Sequence, residues 1–328
     1  MSTAEDRKRR DVLLRLLRLG GASAATAGLA VWLNSRSRRE SPPVALAHKN
    51  NFAVPADASL PQLVIGQGDD PRALVRAVVE RLGGIRRFIS RGDVVAVKPN
   101  AGWDRAPEQA ANTNPDVVRE TIRLCYEAGA KQVIVADVPV HEPHSAFERS
   151  GIAAAARAEG ATIVLPEPRR FKEADLGDFL GVWPVLEPFL SAGKLINLPI
   201  AKHHNLTGAT LGMKNWYGIL GGQRQRLHQH IHESLADLAA FMRPTLTILD
   251  AWRVLVRNGP SGGSLGDVEL KKTLIAGTDP VAIDACAAKA YWNLDAASLP
   301  YLGLAAGRGL GAVDFERLLV RVAPPGQF

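Results

Sequence analysis

The 328-residue sequence has only two cysteines, Cys125 and Cys286. An iron–sulfur cluster takes about four thiolates, so this chain cannot build a conventional cluster of its own. Both cysteines sit in apolar, helix-like contexts and read as free buried thiols. No strand is followed by G-x-G-x-x-G, no Walker loop occurs and there is no H-E-x-x-H, so a dinucleotide fold, a P-loop and a zincin helix have no support. Internal repeats and low-complexity tracts are also missing. Positive charge is scarcer than the formal +7 suggests, because residues 1–40 carry nine Lys/Arg and four Asp/Glu, a net of +5. The remaining surplus is too weak a footprint for nucleic-acid binding, and no nucleic-acid partner is expected.

What is present at the N-terminus is an export signature. Arg7-Lys8-Arg9-Arg10 precedes Asp11-Val12-Leu13-Leu14 and a weakly apolar run from Leu19 to Leu33. Basic residues, a short apolar segment and small residues are the parts of a signal peptide, and the Arg9-Arg10 order resembles a twin-arginine signal. Ala45-Leu46-Ala47 offers an A-x-A cleavage site. Residues 1–47 are therefore expected to be a leader engaging the twin-arginine machinery, giving a periplasmic or otherwise exported protein. Arg15, Arg18 and the basic residues at 36, 38 and 39 keep two alternatives open: a membrane anchor over residues 19–33, and a basic cytoplasmic tail. Residues 48–61 lack periodicity and read as a linker, and 62–328 as one α/β domain.

Within that domain short apolar runs alternate with helical patterns. Leu63–Gly66, Val94–Val97, Gln132–Ala136, Thr162–Leu165, Lys194–Pro199, 246–250 and 273–277 predict strands. Helices are expected over 72–82, from Asn114-Pro115-Asp116 to Glu127, and over 145–158, 208–220, 231–242, 280–292 and 298–306. Segment 169–190 reads as an irregular excursion. Apolar strands separated by helices indicate an α/β fold: a mainly parallel sheet with helices on both faces, a three-layer sandwich. In such sheets ligands bind outside the carboxyl ends of the strands. Three of those ends are polar: Lys98-Pro99-Asn100, Asp137 and Lys202-His203-His204.

Five histidines, two lysines and two arginines fall within residues 201–232. Lysines at strand ends hold carboxylates or phosphates as point charges, and neighbouring histidines supply acid–base or metal-ligand groups. The expected ligand-binding residues are Lys98, Asn100, Lys202, His204, Lys214, Asn215 and Arg226. His203, His228, Asp250 and Asp284 are the expected catalytic groups. A divalent metal is the candidate cofactor, with His203, His228 and His230 as its ligands. Thr207 or Thr210 is a candidate cap for the 208–220 helix, and Asp279 a cap for 280–292. Gly259-Pro260-Ser261-Gly262-Gly263 reads as a turn.

These residues resemble the domain of unknown function 362 family. The resemblance rests on Val97-Lys98-Pro99-Asn100, Asn112-Thr113-Asn114-Pro115, Ile196-Asn197-Leu198-Pro199 with Lys202-His203, and Leu206-Thr207-Gly208 through Lys214-Asn215-Trp216-Tyr217-Gly218. It continues through Arg226 and His228, Ile248 to Asp250, Gly259-Pro260 and Gly277-Thr278-Asp279-Pro280-Val281-Ala282-Ile283-Asp284. It implies an α/β fold with a polar site at these positions and supplies no reaction. Many relatives carry ferredoxin-like cysteine motifs that this chain lacks, which weakens a redox role. The expectation is an enzyme acting on a small anion, with metal assistance as a further possibility. The alternatives are a non-enzymatic exported binding module and a redox partner without its own cluster.

Overall fold

Runs of β-branched and aliphatic residues form the strands of one large sheet. The computed structural model describes residues 51–322; the leader expected over 1–47 lies outside them. The strands are β1 (Leu63–Gln67), β2 (Val94–Pro99), β3 (Gln132–Ala136), β4 (Thr162–Val164), β5 (Phe171–Asp175) and β6 (Val182–Leu186). They continue with β7 (Lys194–Leu198), β8 (Ile200–His204), β9 (Gly208–Thr210), β10 (Leu246–Leu255), β11 (Val268–Gly277) and β12 (Leu319–Val322). The main sheet has the order β12-β1-β11-β10-β7-β2-β3-β4. Pairing is parallel from β10 to β4 and between β1 and β12, while β11 runs antiparallel to both its neighbours.

Helices cover both faces. One face holds α1 (Pro71–Arg81), α2 (Pro115–Glu127) and the short pair α3 (Pro143–Arg149) and α4 (Ile152–Ala158). Val64, Val95, Val97, Val133 and Val135 pack towards them in one apolar core. After α5 (Pro188–Ser191) come α6 (Ile231–Phe241), α7 (Pro280–Trp292) and α8 (Pro300–Gly307), which cover the other face. There Leu63, Ala96, Ala136, Leu195 and Ile275 contribute to a second core. Successive strand residues thus go to opposite cores, as the two-residue period of a strand requires. Each fully buried Val or Leu contributes roughly 1.5–3 kcal/mol. The result is the expected three-layer α/β sandwich. Cys125 and Cys286 lie in different cores, and both are free.

Three helix starts carry side-chain caps. Asp70, Asn114 and Asp279 accept amide hydrogen bonds from Arg72, Asp116 and Ala282 at 2.8, 2.9 and 2.8 Å. Three local expectations are corrected. The 145–158 helix is two helices, broken at Gly151, whose φ of 76° is left-handed. Residues 208–220 are not a helix: β9 pairs antiparallel with β8, and a 3-10 segment, Lys214–Ile219, follows. Thr207 and Thr210 therefore cap nothing; the Thr207 hydroxyl donates to the Ala209 carbonyl. The excursion at 169–190 contains its own hairpin, β5–β6, forming a separate two-stranded sheet. Strand β12 has no counterpart among the expected strands. In the stretch read as a linker, Phe52 is buried and its amide donates to the Arg243 carbonyl at 3.0 Å.

Candidate functional site

At the carboxyl ends of β2, β3 and β8 a cavity of about 460 Å³ opens. Its walls carry Lys98 and Asn100 from the end of β2, Asp137 just after β3, Lys202 and His204 from β8, and Lys214, Asn215, Tyr217, Arg224 and His228 from the segments that follow. Four cationic side chains thus share a cavity with one carboxylate.

Lys98 and Asp137 form the frame. Lys98 is fully buried, and its ammonium donates to Asp137 Oδ1 at 2.7 Å, Asn215 Oδ1 at 3.1 Å and the Pro99 carbonyl at 2.9 Å. Those three bonds use all the donors an ammonium has. Burial lowers the Lys98 pKa, with Asp137 opposing the shift. Asp137 also accepts the amides of Ala101 at 2.7 Å and Val138 at 3.0 Å. Gly218 is packed so close that a Cβ there would lie 2.0 Å from Asp137 Oδ1 and 2.6 Å from Lys98 Nζ. Arg224 fastens the Val138–Pro139 turn by donating to both carbonyls, and it reaches the Tyr217 carbonyl at 3.2 Å. Lys98 and Asn215 therefore build the wall and have little left to offer a ligand.

The loop before α2 sets the opposite wall. Thr113 Oγ1 donates to the Leu198 carbonyl at 2.7 Å and accepts the Asn100 amide at 2.8 Å. Asn112 Oδ1 accepts the Trp103 amide at 2.9 Å. Asn100 is then turned so that its Nδ2 donates to Asn215 at 3.0 Å while its Oδ1 accepts Lys202 at 2.9 Å.

Lys202 and Lys214 are the cations with capacity to spare. Lys202 is 2% exposed and donates to Asn100 Oδ1 and, at 2.6 Å, to the Ala111 carbonyl, both neutral acceptors. Burial, reinforced by Lys214, brings its pKa down to about 7. Lys214 stands 4.7 Å over the Tyr217 ring and, among the described residues, forms no ion pair. Burial, with Arg224 adding repulsion, brings it down to about 8. The Thr210 hydroxyl, buried on the same cavity, has no hydrogen-bond partner among the described residues.

Two histidine rings stack at 6.3 Å, 10° from parallel. His204 Nδ1 accepts the Leu206 amide at 3.2 Å. Burial and Lys214 push its pKa down to about 3, so it is neutral and Nε2 carries the proton. His228 makes the reverse choice. Its Nδ1 lies 3.1 Å from the Gln225 carbonyl, an acceptor, so Nδ1 holds the proton and Nε2 keeps its lone pair. Burial and Lys214 lower the His228 pKa too. One ring offers a donor and the other a base.

The remaining expected site residues lie elsewhere. Strand alternation puts Lys202 and His204 on the cavity side of β8 and His203 on the other, where its Nδ1 accepts the Gly259 amide at 3.2 Å. Arg226 is exposed outside the cavity, and His230 packs edge-on to Phe179 at 5.6 Å. His203, His228 and His230 therefore do not converge. Among the described residues no group of three or more His, Cys, Asp or Glu is placed to hold a metal ion. Asp250 accepts the Asn114 amide at 2.8 Å and the Trp252 amide at 2.9 Å. Asp284 accepts the amides of Gly212 at 2.7 Å and Met213 at 3.0 Å. Burial raises their pKa values to about 6 and about 7. Neither carboxylate lines the cavity; each pins a loop that does. Asp137, Arg224 and Thr210 belong to the site without having been singled out as ligand groups. Strand-end position was the available signal for Asp137, and Thr210 was read only as a helix cap.

Fold and cavity together define a three-layer α/β protein with a cationic pocket at the carboxyl ends of its parallel strands. The chain belongs to the family described as Domain of unknown function (DUF362), whose model matches residues 95–289, a stretch that contains every cationic and histidine side chain of the cavity. It is 29% identical over 253 residues to the thylakoid-associated protein sll1697 of Synechocystis sp. (strain ATCC 27184 / PCC 6803 / Kazusa), covering 74% of this chain and 77% of that protein. Among solved structures, a Thermotoga maritima protein matches with a TM-score of 0.39 and 12% identity over 73% of this chain and 60% of the other. The lactate racemase apoprotein from Thermoanaerobacterium thermosaccharolyticum matches with a TM-score of 0.38 and 12% identity, over 68% and 56%. The chain spans less than two thirds of the length of either solved structure. Among the described residues no helix is long and apolar enough to cross a membrane.

Proposed function

We propose that the cavity binds a small anion, a carboxylate or phosphate, and that the protein acts on it by acid–base chemistry. The observation that carries this reading is the excess of cations: among the described residues, Lys98, Lys202, Lys214 and Arg224 share one cavity with only Asp137. Lys214 holds the anion, aided by the Thr210 hydroxyl, by His204 Nε2–H and by Lys202 in its protonated form. Burial strengthens each contact, because a charge in low dielectric is screened less than one in water. His228 Nε2 is the base. Asp250 and Asp284 position the loops.

Titration calorimetry with phosphate and with oxalate tests the reading on the full chain and on Lys214→Met. A charge-assisted hydrogen bond contributes about 2 kcal/mol, so the variant loses roughly thirtyfold in affinity. Unchanged affinity in the variant, or no binding by the parent chain, refutes it.

Export is part of the same reading and rests on Arg9-Arg10 and the short apolar run behind them. Cell fractionation tests it: the paired change Arg9→Lys with Arg10→Lys traps the protein inside if the twin-arginine route is used. Unaltered export excludes that route.

A further inference from the structure

We propose that Lys202 is a nucleophile whose amine condenses with the carbonyl group of a small oxo acid bound in the cavity, forming an imine. The proposal rests on the anion reading above, since the acid's carboxylate is held by Lys214.

The contrast between the buried lysines points to it. Lys98 has a dedicated counterion in Asp137, 2.7 Å away. Lys202 is almost as buried, yet no carboxylate of the described residues lies within ion-pair distance of it. Its acceptors are the Asn100 amide oxygen and the Ala111 carbonyl. A neutral amine has two N–H bonds and one lone pair. Those two acceptors take both N–H bonds and leave the lone pair for the cavity that Lys202 lines. This environment suits the uncharged amine, whereas a buried ammonium without a counterion is costly.

The groups facing Lys202 work in the same direction. Lys214 and Lys98 repel its charged form, and Asp137, the one opposing charge among the described residues, is engaged by Lys98. His204 is neutral. The Trp103 ring is the other cation-stabilising neighbour, with Nζ 5.9 Å from its centroid, at the limit of such contacts. A lysine desolvated beside a second cation is one of the recurring ways an amine becomes nucleophilic at neutral pH.

The step balances without any redox partner. Nζ bonds to the carbonyl carbon as the C=O π pair moves to oxygen. The proton lost by nitrogen is taken up by His228 Nε2 and delivered to that oxygen. A second proton transfer from nitrogen expels the oxygen as water and leaves C=N. The imine then draws electrons from the adjacent C–H or C–carboxylate bond, which is what such a lysine supplies to proton-transfer or decarboxylation chemistry. An oxo acid fits the site because it carries both an anion for Lys214 and a carbonyl for Lys202.

Borohydride trapping tests the proposal. The full chain is incubated with pyruvate, reduced with sodium borohydride and mapped by peptide mass spectrometry. Lys202 is expected to carry the carboxyethyl group at a level at least about tenfold above the exposed Lys131, Lys172 and Lys289. At pyruvate concentrations raised to offset its weaker carboxylate binding, Lys214→Met, which lacks the largest repulsion acting on Lys202, moves the pH midpoint of trapping upward. Lys202→Met, checked for folding by circular dichroism, loses the label; if it does not fold, the Lys214→Met shift carries the test. No preference for Lys202, with phosphate binding intact by calorimetry, overturns the nucleophile and spares the anion pocket. Loss of both label and phosphate binding overturns both.

Discussion

Gly218→Ala should dismantle the frame of the cavity. The added methyl would sit 2.0 Å from Asp137 Oδ1, against about 3.5 Å for an ordinary contact, so the carboxylate must retreat by about 1.5 Å. Asp137 cannot do so and keep its bonds to Lys98 Nζ at 2.7 Å and to the Ala101 amide at 2.7 Å. Nor can the methyl escape the other way, because Lys98 Nζ would lie 2.6 Å from it. Separating a buried ion pair costs roughly 3–5 kcal/mol. The backbone at Gly218 is not in the left-handed region, so the loss belongs to the side-chain clash alone. Urea unfolding followed by far-ultraviolet circular dichroism measures it, and calorimetry with phosphate reads the site in the same samples. Destabilisation below about 1 kcal/mol would mean that the pair yields without cost, and the frame as described would be wrong.

Four further outcomes are expected. Phosphate affinity falls as pH rises past 7 to 8, approaching about tenfold per pH unit for each lysine that must gain a proton, because Lys202 and Lys214 titrate near 7 and 8 without a bound anion. Calorimetry in buffers of different ionisation enthalpy then shows proton uptake, and buffer-independent heats would contradict the assignment. Asp284 has a folded pKa of about 7, above its ordinary 3.8, so its stabilising effect is complete below about pH 4 and is lost as pH rises through 7. Asp284→Asn flattens that part of the stability–pH curve, and an unchanged slope would refute the role of burial. His228→Gln keeps phosphate affinity within a few fold while abolishing turnover of any substrate found, and retained turnover would remove His228 as the base. Cys125 and Cys286, pushed up to about 12 and about 11 by burial, react with thiol reagents only on unfolding. Fast labelling of the native protein would contradict their burial.

Much of the fold is legible because it depends on local pattern. Val94–Val97 and Gln132–Ala136 announce strands by their apolar runs, and Asp70-Pro71, Asn114-Pro115 and Asp279-Pro280 announce helix starts by cap chemistry. Segment 208–220 misled because Met213, Trp216 and Leu220 fall at helical spacing, whereas the chain there is held by β8 and by the Asp284 carboxylate from α7. The short β5–β6 hairpin went unread although Gly177, Asp178 and Gly181 mark its turn, and β12 was beyond local pattern because it pairs with β1 at the far end of the domain. Lys98, Lys202, His204 and Lys214 could be picked out by their strand-end or clustered positions. The separate fate of the histidines could not.

The sequence by itself determined the layer architecture, because strand and helix periods are properties of neighbouring residues. It also determined that a polar site would sit at the carboxyl ends of the strands, because chain direction in a parallel sheet places those ends together. Only the tertiary structure decided which groups share the cavity. His203 stands between Lys202 and His204 with nothing in its composition to set it apart, and one step of strand alternation sends it to the other side. Asp250 and Asp284 look like catalytic carboxylates until the amides of Asn114, Trp252, Gly212 and Met213 are seen to occupy them. Whether a lysine has a counterion is a fact about residues 39 positions apart in Lys98 and Asp137, and that Lys202 has none among the described residues is visible only once the chain has folded.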